Sequence, residues 1–290
     1  MPMLPLVLWL LTLQPQTSEP QRLKSSSELV VLTVTVMEGK SRYVAGLPRE
    51  AFAIFEDGRP QPLAFFESAD TPATIGLVID NSTSMHRRRE AVIAAGASFA
   101  ASSHPDDEMF TVNFNEHVWR GLPEGQLFTS DRQELERALL AMTTRGQTAF
   151  FDGLHAALGH LEKGHKQRKV LVVVSDGGDN ASRSTFDSVL QTALRMDAVI
   201  YTVSITDEYD RDAKPDVLRK IAAATGGEAY FLNDIAGVAP TFERIARDIR
   251  SGYTLGYTPE PGAGYRAIKV RVQPPDKRRL AVRCRSGYQR

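Results

Sequence analysis

Ile75-Gly76-Leu77-Val78-Ile79-Asp80-Asn81-Ser82-Thr83-Ser84 joins an unbroken apolar run to three oxygen-bearing side chains at alternate positions. The run has the composition of a strand buried on both faces, as in parallel sheets covered by helices on either side. The residues after the run predict a strand-to-helix turn carrying one carboxylate, Asp80, and two hydroxyls, Ser82 and Ser84. Hard divalent cations such as Mg²⁺ or Ca²⁺ favour oxygen donors of this kind. Zn²⁺ favours Cys or His, and neither is interleaved here.

Two later segments extend the pattern. Val170-Leu171-Val172-Val173-Val174 is a second continuous apolar run, and it ends in Ser175-Asp176-Gly177-Gly178, a carboxylate followed by turn glycines. Between the runs, Gly146-Gln147-Thr148-Ala149-Phe150 leads into Phe151-Asp152-Gly153-Leu154, where a helix is expected to begin at Gly153 with Asp152 as its cap. Thr148 offers a third hydroxyl from that loop. Ligands of open α/β sheets gather beyond the carboxyl ends of the strands, so the three segments are expected to converge. Asn81 and Thr83 alternate with the ligand positions and are expected to shape the turn.

Asp80-x-Ser82-x-Ser84, with Thr148 sixty-four residues after Ser84 and Asp176 twenty-eight further on, resembles the von Willebrand factor A-type (vWA) domain. The resemblance covers roughly residues 73–250 and matches all five positions of that family's metal-ion-dependent adhesion site (MIDAS). It implies metal ligands Asp80, Ser82, Ser84, Thr148 and Asp176, with Mg²⁺, alternatively Ca²⁺ or Mn²⁺, as the cofactor. In the family the hydroxyls bind the ion directly, the aspartates often bind through water, and a partner's acidic side chain fills the open position. An Asp or Ser after a strand is also the ordinary N-cap of the next helix. That explanation serves one such residue better than five drawn from three segments.

At 290 residues the chain has room for about two domains. Its hydrophobic content of 42% and charged content of 24% are those of an ordinary globular protein. Net charge is zero but unevenly spread: residues 73–250 hold 25 acidic and 20 basic side chains, a net of −5, whereas residues 261–290 hold nine basic and one acidic, a net of +8. The first residues include Leu4-Pro5-Leu6-Val7-Leu8-Trp9-Leu10-Leu11-Thr12-Leu13, too short to span a bilayer but of the length of a secretory signal core. No Lys or Arg precedes it and no Ala-x-Ala-like site comes after it. The expectation is export, to the periplasm or outside the cell, with residues 1–27 as signal peptide and linker. Cys284 is the only cysteine, so no internal disulfide forms, and its alternation with Arg283 and Arg285 turns it inward.

The expected fold class is α/β: a doubly wound, mostly parallel, Rossmann-like sheet inserted into a small antiparallel β-sandwich. Within residues 73–250 apolar runs alternate with helical patterns near 88–102, 131–142, 153–163, 184–196, 215–224 and 240–249. Outside them the pattern changes to short strands. Val30, Leu32, Val34 and Val36 share a face; Ala51–Phe55 and Leu63–Phe66 are expected to pair as a hairpin about Asp57-Gly58. Ile268, Val270 and Val272, then Leu280, Val282 and Cys284, are expected to form a second antiparallel pair about Pro274-Pro275-Asp276. Neither end carries enough apolar surface to stand alone, so residues 28–72 and 251–290 are expected to close into one discontinuous sandwich. This arrangement also resembles a group of exported bacterial proteins, the VWFA-related acidobacterial type. The resemblance rests on Gly46-Leu47, Phe52-x-Ile54-x-Glu56-Asp57-Gly58, Tyr253-x-Leu255-Gly256-Tyr257 and Tyr265-Arg266.

The expected function is metal-dependent protein binding, in adhesion or assembly, by capture of an exposed Asp or Glu of a partner. The alternative is a structural scaffold of the cell envelope whose metal only stabilises it. An enzyme, such as a metal-dependent hydrolase, is disfavoured. The position two after Asp80 is Ser82, a poor proton donor, and no Gly-x-Ser-x-Gly, Gly-x-x-x-x-Gly-Lys or His-Glu-x-x-His motif occurs. His155, His160 and His165 are spaced by five and do not share a helix face. The basic tail lacks clustered aromatics and reads as edge-strand charge, not as a specific nucleic-acid site. Arg87-Arg88-Arg89 is expected to open a helix beside Ser84 on a solvated surface. The acidic stretch Thr206–Asp212 is expected to lie near the metal as a hydrophilic loop.

Overall fold

Alternating and continuous apolar runs sort into two kinds of sheet. The computed structural model describes residues 29–39, 42–68, 70–140, 144–205, 213–276 and 278–290. From the amino end come β1 (Val30–Glu38), β2 (Arg42–Tyr43), β3 (Phe52–Glu56), β4 (Arg59–Gln61) and β5 (Phe65–Glu67). The α/β body comes next: β6 (Ala73–Asp80), a 3-10 segment Thr83–Arg88, α1 (Arg89–Ser102), β7 (Glu108–Phe114), β8 (Val118–Arg120), α2 (Arg132–Leu140) and α3 (Phe150–Leu161). It continues with β9 (Arg168–Val174), α4 (Phe186–Arg195), β10 (Val199–Ile205), α5 (Pro215–Thr225), β11 (Ala229–Leu232) and α6 (Val238–Ser251). The chain closes with β12 (Tyr253–Tyr257), β13 (Tyr265–Val272), β14 (Ala281–Arg283) and β15 (Gly287–Gln289).

The body's sheet has the order β11-β10-β9-β6-β7-β8, parallel except for β8. Every residue of β6 and β10 is buried, as the runs Ile75–Ile79 and Val199–Ile205 require when helices cover both faces. On one face Ile75, Leu77 and Val172 pack with Val92 and Phe99 of α1 and with Phe242 and Ile245 of α6. On the other, Val78, Leu171 and Val173 pack with Leu154 and Leu158 of α3, Val189 of α4 and Leu218 of α5. His160 of α3 sits between Phe110 and Phe128 at ring-centroid distances of 4.3 and 5.2 Å, a packing role. Among the described residues no helix is long and apolar enough to cross a membrane.

The two chain ends meet in a pair of antiparallel sheets, β14-β1-β12-β5 and β15-β13-β3-β4, with β2 on β1. Leu32 and Val34, Ile54, and Tyr253, Leu255 and Tyr257 fill the space between them. The buried Glu56 carboxylate accepts the Tyr257 hydroxyl at 2.5 Å and the Tyr288 hydroxyl at 3.0 Å, joining both sheets in one polar contact. The α/β body is thus inserted into an antiparallel sandwich, as the two patterns predict.

The pairing within that sandwich differs from expectation. Phe52–Glu56 does turn back at Asp57-Gly58, but onto Arg59–Gln61, and Phe65–Glu67 pairs with β12 in the opposite sheet. The reason is aromatic: Phe66 and Tyr253, neighbours in one sheet with ring centroids 6.2 Å apart, face Phe52 of the other sheet across the core at 5.5 and 4.7 Å, which needs the two runs in different layers. The tail strands likewise part company. β13 lies on β3, β14 lies on β1, and β15 adds an unexpected strand to β13. Cys284 packs against the sandwich core, inward as expected.

Buried Arg168 and half-buried Arg283 fasten body to sandwich. Arg168, at the start of β9, donates to the Ile249 carbonyl at 2.7 Å, to Thr254 Oγ1 at 3.1 Å and to the Gly252 carbonyl. Arg283 of β14 meets Glu228 at 2.5 Å and also Asp248 of α6, a fully buried carboxylate that accepts the Thr35 hydroxyl at 2.9 Å. Removing one member of a buried ion pair strands the other, at a cost of about 3–5 kcal/mol. Arg283→Ala is therefore expected to lower unfolding free energy by about that amount in urea titrations. Arg283→Met combined with Asp248→Leu should lose less than the single change.

Candidate metal centre

Parallel pairing sets Ile79 opposite Val174, so Asp80 and Ser175 emerge level at the carboxyl edge of the sheet. Ser175 Oγ donates to Asp80 Oδ2 at 2.7 Å, and Asp80 Oδ1 accepts the Ser82 N–H at 2.8 Å. The second contact is an aspartate-closed turn that throws the chain from strand into the 3-10 segment. Ser82 Oγ lies 3.1 Å from Ser84 Oγ, and Ser84 Oγ donates to Asp176 Oδ2 at 2.9 Å. Asp176 Oδ1 accepts the Gly178 N–H at 2.8 Å. Asp80, Ser82, Ser84 and Asp176 thus form one continuous chain of polar contacts. Asp80, Ser82 and Asp176 are buried and Ser84 is exposed, so the chain runs from the sheet's interior to solvent.

Thr148 is buried on the loop preceding α3. Its backbone is fixed to the Asp176 side of the site: its N–H donates to Asn180 Oδ1 at 2.9 Å and its carbonyl accepts the Asn180 and Ala181 N–H groups at 3.0 and 3.1 Å. The same loop is fixed to the Asp80 side, with Arg145 N–H on the Asn81 carbonyl at 2.9 Å and Thr83 Oγ1 on the Gly146 carbonyl at 3.1 Å. Asn81 Nδ2 bridges the Ile79 carbonyl and Asn113 Oδ1 at 3.2 and 3.1 Å, so Asn81 and Thr83 do shape the turn. The sequence reading missed Asn113, Ser175, Asn180 and Glu116, whose Oε2 accepts the Gln147 N–H at 2.9 Å. A polar residue within or directly after a buried strand is the signal that marks the first two.

Two expectations are corrected here. Helix α3 starts at Phe150, with Ala149 as its N-cap, so Asp152 lies inside the first turn. Its carboxylate instead accepts the Arg183 and Ser184 N–H groups at 3.0 and 2.8 Å, holding the loop after Asp176. The three arginines do not all face solvent. Arg88 is buried and donates to the Ser84 carbonyl at 3.2 Å, because the 3-10 segment delays α1 to Arg89. The acidic stretch 206–212 and the apolar amino terminus lie outside the described residues.

Burial pushes the Asp80 carboxyl up to about 6; hydrogen bonds from Ser82 and Ser175 pull it down, and the charge of Asp176 pushes it further up. The hydrogen-bond partners of Asp80 and Asp176 are hydroxyls and N–H groups, not arginine or lysine. A divalent cation fits such a donor set: two carboxylates short of counter-charge with hydroxyl oxygens beside them. Among the described residues no three His, Cys, Asp or Glu side chains converge, so a cation here depends on hydroxyls as much as on carboxylates.

Residues 75–178 match the family model described as von Willebrand factor type A domain. The α/β body has the vWA fold. Solved structures agree on the fold. A von Willebrand factor type A protein from Catenulispora acidiphila matches with a TM-score of 0.57 at 15% identity, covering 87% of this chain and 75% of that one. The α/β body from β6 to α6 is about three fifths of the chain, so that likeness reaches past it into the flanking sheets. Proximal thread matrix protein 1 of the mussel byssus, in a form with a zinc-occupied MIDAS motif, matches at 0.50 and 16% identity over 62% of this chain. This chain spans 48% of the mussel protein's length. The vWF domain of the type V pilus tip protein Mfa5 from Porphyromonas gingivalis matches at 0.50 and 15% identity, over 62% of this chain and 95% of that one. No curated protein matches the chain in sequence.

Gly177 keeps the Asp176 turn close to the loop before α5. It has φ +81°, and a Cβ there would lie 2.8 Å from the Lys214 carbonyl oxygen and 2.9 Å from Leu218 Cγ. Gly177→Ala is expected to cost about 2 kcal/mol of stability, measured by urea denaturation.

Proposed function

We propose that Asp80, Ser82, Ser84, Thr148 and Asp176 hold a divalent cation, Mg²⁺ or alternatively Ca²⁺ or Mn²⁺, and through it bind an acidic side chain of a protein partner. The observation that carries this reading is the unbroken polar chain from buried Asp80 through Ser82 and exposed Ser84 to Asp176. When bound, the cation supplies an electrophilic corner for one further carboxylate. The residues themselves do the positioning. Ser175 and the Ser82 N–H hold the Asp80 carboxylate, Gly178 N–H holds that of Asp176, and Ser84 carries the site to the surface. The zinc-occupied MIDAS of the mussel protein and the pilus-tip origin of Mfa5 support a metal-loaded vWA site and a place in adhesion or assembly.

The module is a binder, not a catalyst, in this reading. Ser82 offers no proton-transferring group beside Asp80, and His160 is committed to packing. We take residues 28–72 with 251–290 as one discontinuous domain, residues 73–250 as the vWA domain, and residues 1–27 as a signal peptide and linker of an exported protein. MIDAS vWA proteins of the acidobacterial type are the group this organisation fits.

A second reading, an envelope scaffold without metal-gated binding, draws on one observation: the Asp80–Asp176 contacts close among protein groups alone. Titration with Mg²⁺ or Mn²⁺, melting with and without EDTA, and pull-down from the native envelope in both conditions separate the two. Binding is expected to be metal-gated, and Asp80→Ala and Asp176→Ala should each weaken cation affinity by about tenfold or more. A melting temperature lowered by EDTA with no metal-gated partner would establish the scaffold instead.

A further inference from the structure

Residues 145–149 carry Thr148 between two other loops, and seven of their ten backbone groups are held by hydrogen bonds. Two consecutive N–H groups, those of Gln147 and Thr148, are held by side chains: Glu116 Oε2 and Asn180 Oδ1, each at 2.9 Å. Glu116 comes from the loop after β7 and Asn180 from the loop after β9, so the peptide before Thr148 is gripped from two sides. The grip of Glu116 is unusually close. Gly146 stands at φ +78°, and a Cβ there would lie 1.6 Å from Glu116 Oε2 and 2.4 Å from its Cδ, so only glycine admits the carboxylate. The Ala149 N–H, one residue on, is fixed to the Asn115 carbonyl at 2.7 Å, next to Glu116 in the chain.

We infer that Glu116 is a positioning residue of the metal centre: by holding the Gln147 N–H it sets the orientation from which the Thr148 hydroxyl reaches the cation. This rests on the reading of Thr148 as a ligand. Glu116 itself is a hydrogen-bond acceptor one residue removed, not a ligand. Groups that orient metal ligands in this way change metal affinity by about 10–100-fold when lost. An oriented hydroxyl matters more here than in a carboxylate-rich site, because among the described residues the proposed ligand set has two carboxylates, Asp80 and Asp176.

The test uses the full chain with Mn²⁺ alone as the probe, read by calorimetry and by electron paramagnetic resonance of free Mn²⁺, beside melting of the metal-free protein. Glu116→Ala is expected to weaken Mn²⁺ binding about tenfold while the metal-free melting temperature holds within 2 °C or so. Glu116→Gln keeps the acceptor oxygen without the charge and should stay within about threefold of wild type. Gly146→Ala, which expels the carboxylate, should match Glu116→Ala, and adding Thr148→Ala to Glu116→Ala should weaken binding no further. Equal losses for Glu116→Gln and Glu116→Ala would show that charge, not position, is what Glu116 contributes, and would overturn the inference. So would a loss with Thr148→Ala and none with Glu116→Ala. If Thr148→Ala itself leaves Mn²⁺ affinity unchanged, the reading of Thr148 as a ligand fails and the inference falls with it.

Discussion

The parallel ladder between β6 and β9 is the constraint on which the site depends. With Ile79 opposite Val174, Asp80 stands level with Ser175 and Asp176 falls one residue beyond. Side chains alternate along a strand, so a slip of one residue would exchange the hydroxyl beside Asp80 for a second carboxylate and turn each to the other face. Close packing holds the register. Gly76 lets Phe110 Cζ and Leu171 Cδ2 approach to 2.5 and 2.7 Å of where a Cβ would stand, locking β6 between β7 and β9. The three strands are pinned by their cores as well as by the polar contacts at their ends.

The treatment of acids elsewhere in the molecule sets Asp80 and Asp176 apart. Asp248 meets Arg283 and Asp197 meets Arg285. Glu56 takes two tyrosine hydroxyls, and Asp107 takes the Ala73 and His104 N–H groups at 2.7 and 2.8 Å. A carboxylate withdrawn from water needs a cation or several donors, and these four have them. Asp80 and Asp176 each have two neutral donors, as Glu56 and Asp107 do, but they stand close enough together for the charge of Asp176 to push up the carboxyl of Asp80. The imbalance is local to the carboxyl edge of the sheet, where a divalent ion would offset it.

How far the sequence discloses this depends on the range of the interaction concerned. Ile75–Ile79 and Val170–Val174 are legible because burial on both faces leaves an unbroken apolar run, and Asp80, Ser82, Ser84 and Asp176 come directly after as their polar ends. The layering of Phe52 against Phe66 is not legible: two short β-like runs about Asp57-Gly58 look like a hairpin whether they pair edge to edge or face each other across a core. The start of α3 is misread for a similar reason. Asp152 has the chemistry of a cap, but its oxygens are claimed by Arg183 and Ser184, thirty-one and thirty-two residues away. Glu116 is invisible for the same cause, since its acceptor role exists only once the loop before α3 folds over β7.

Mounting and function are connected through the length of β6. Arg168 binds the sandwich side from the first residue of β9, and Arg250 of α6 binds Asp70 just ahead of β6 at 2.8 and 3.0 Å. These contacts all lie at the amino end of the parallel strands. Asp80 closes the carboxyl end, seven residues after Ala73, and a strand rises about 3.3 Å per residue, so roughly 23 Å separates fastening from site. The sandwich therefore holds the α/β body by the edge opposite the candidate site. Buried Arg168 and exposed Arg250 make that joint at the amino ends of the strands, so the edge bearing the candidate site lies at the far end of the sheet from it. A surface meant to meet another macromolecule gains from such a mount, since orientation settled within the chain need not be settled again at each encounter.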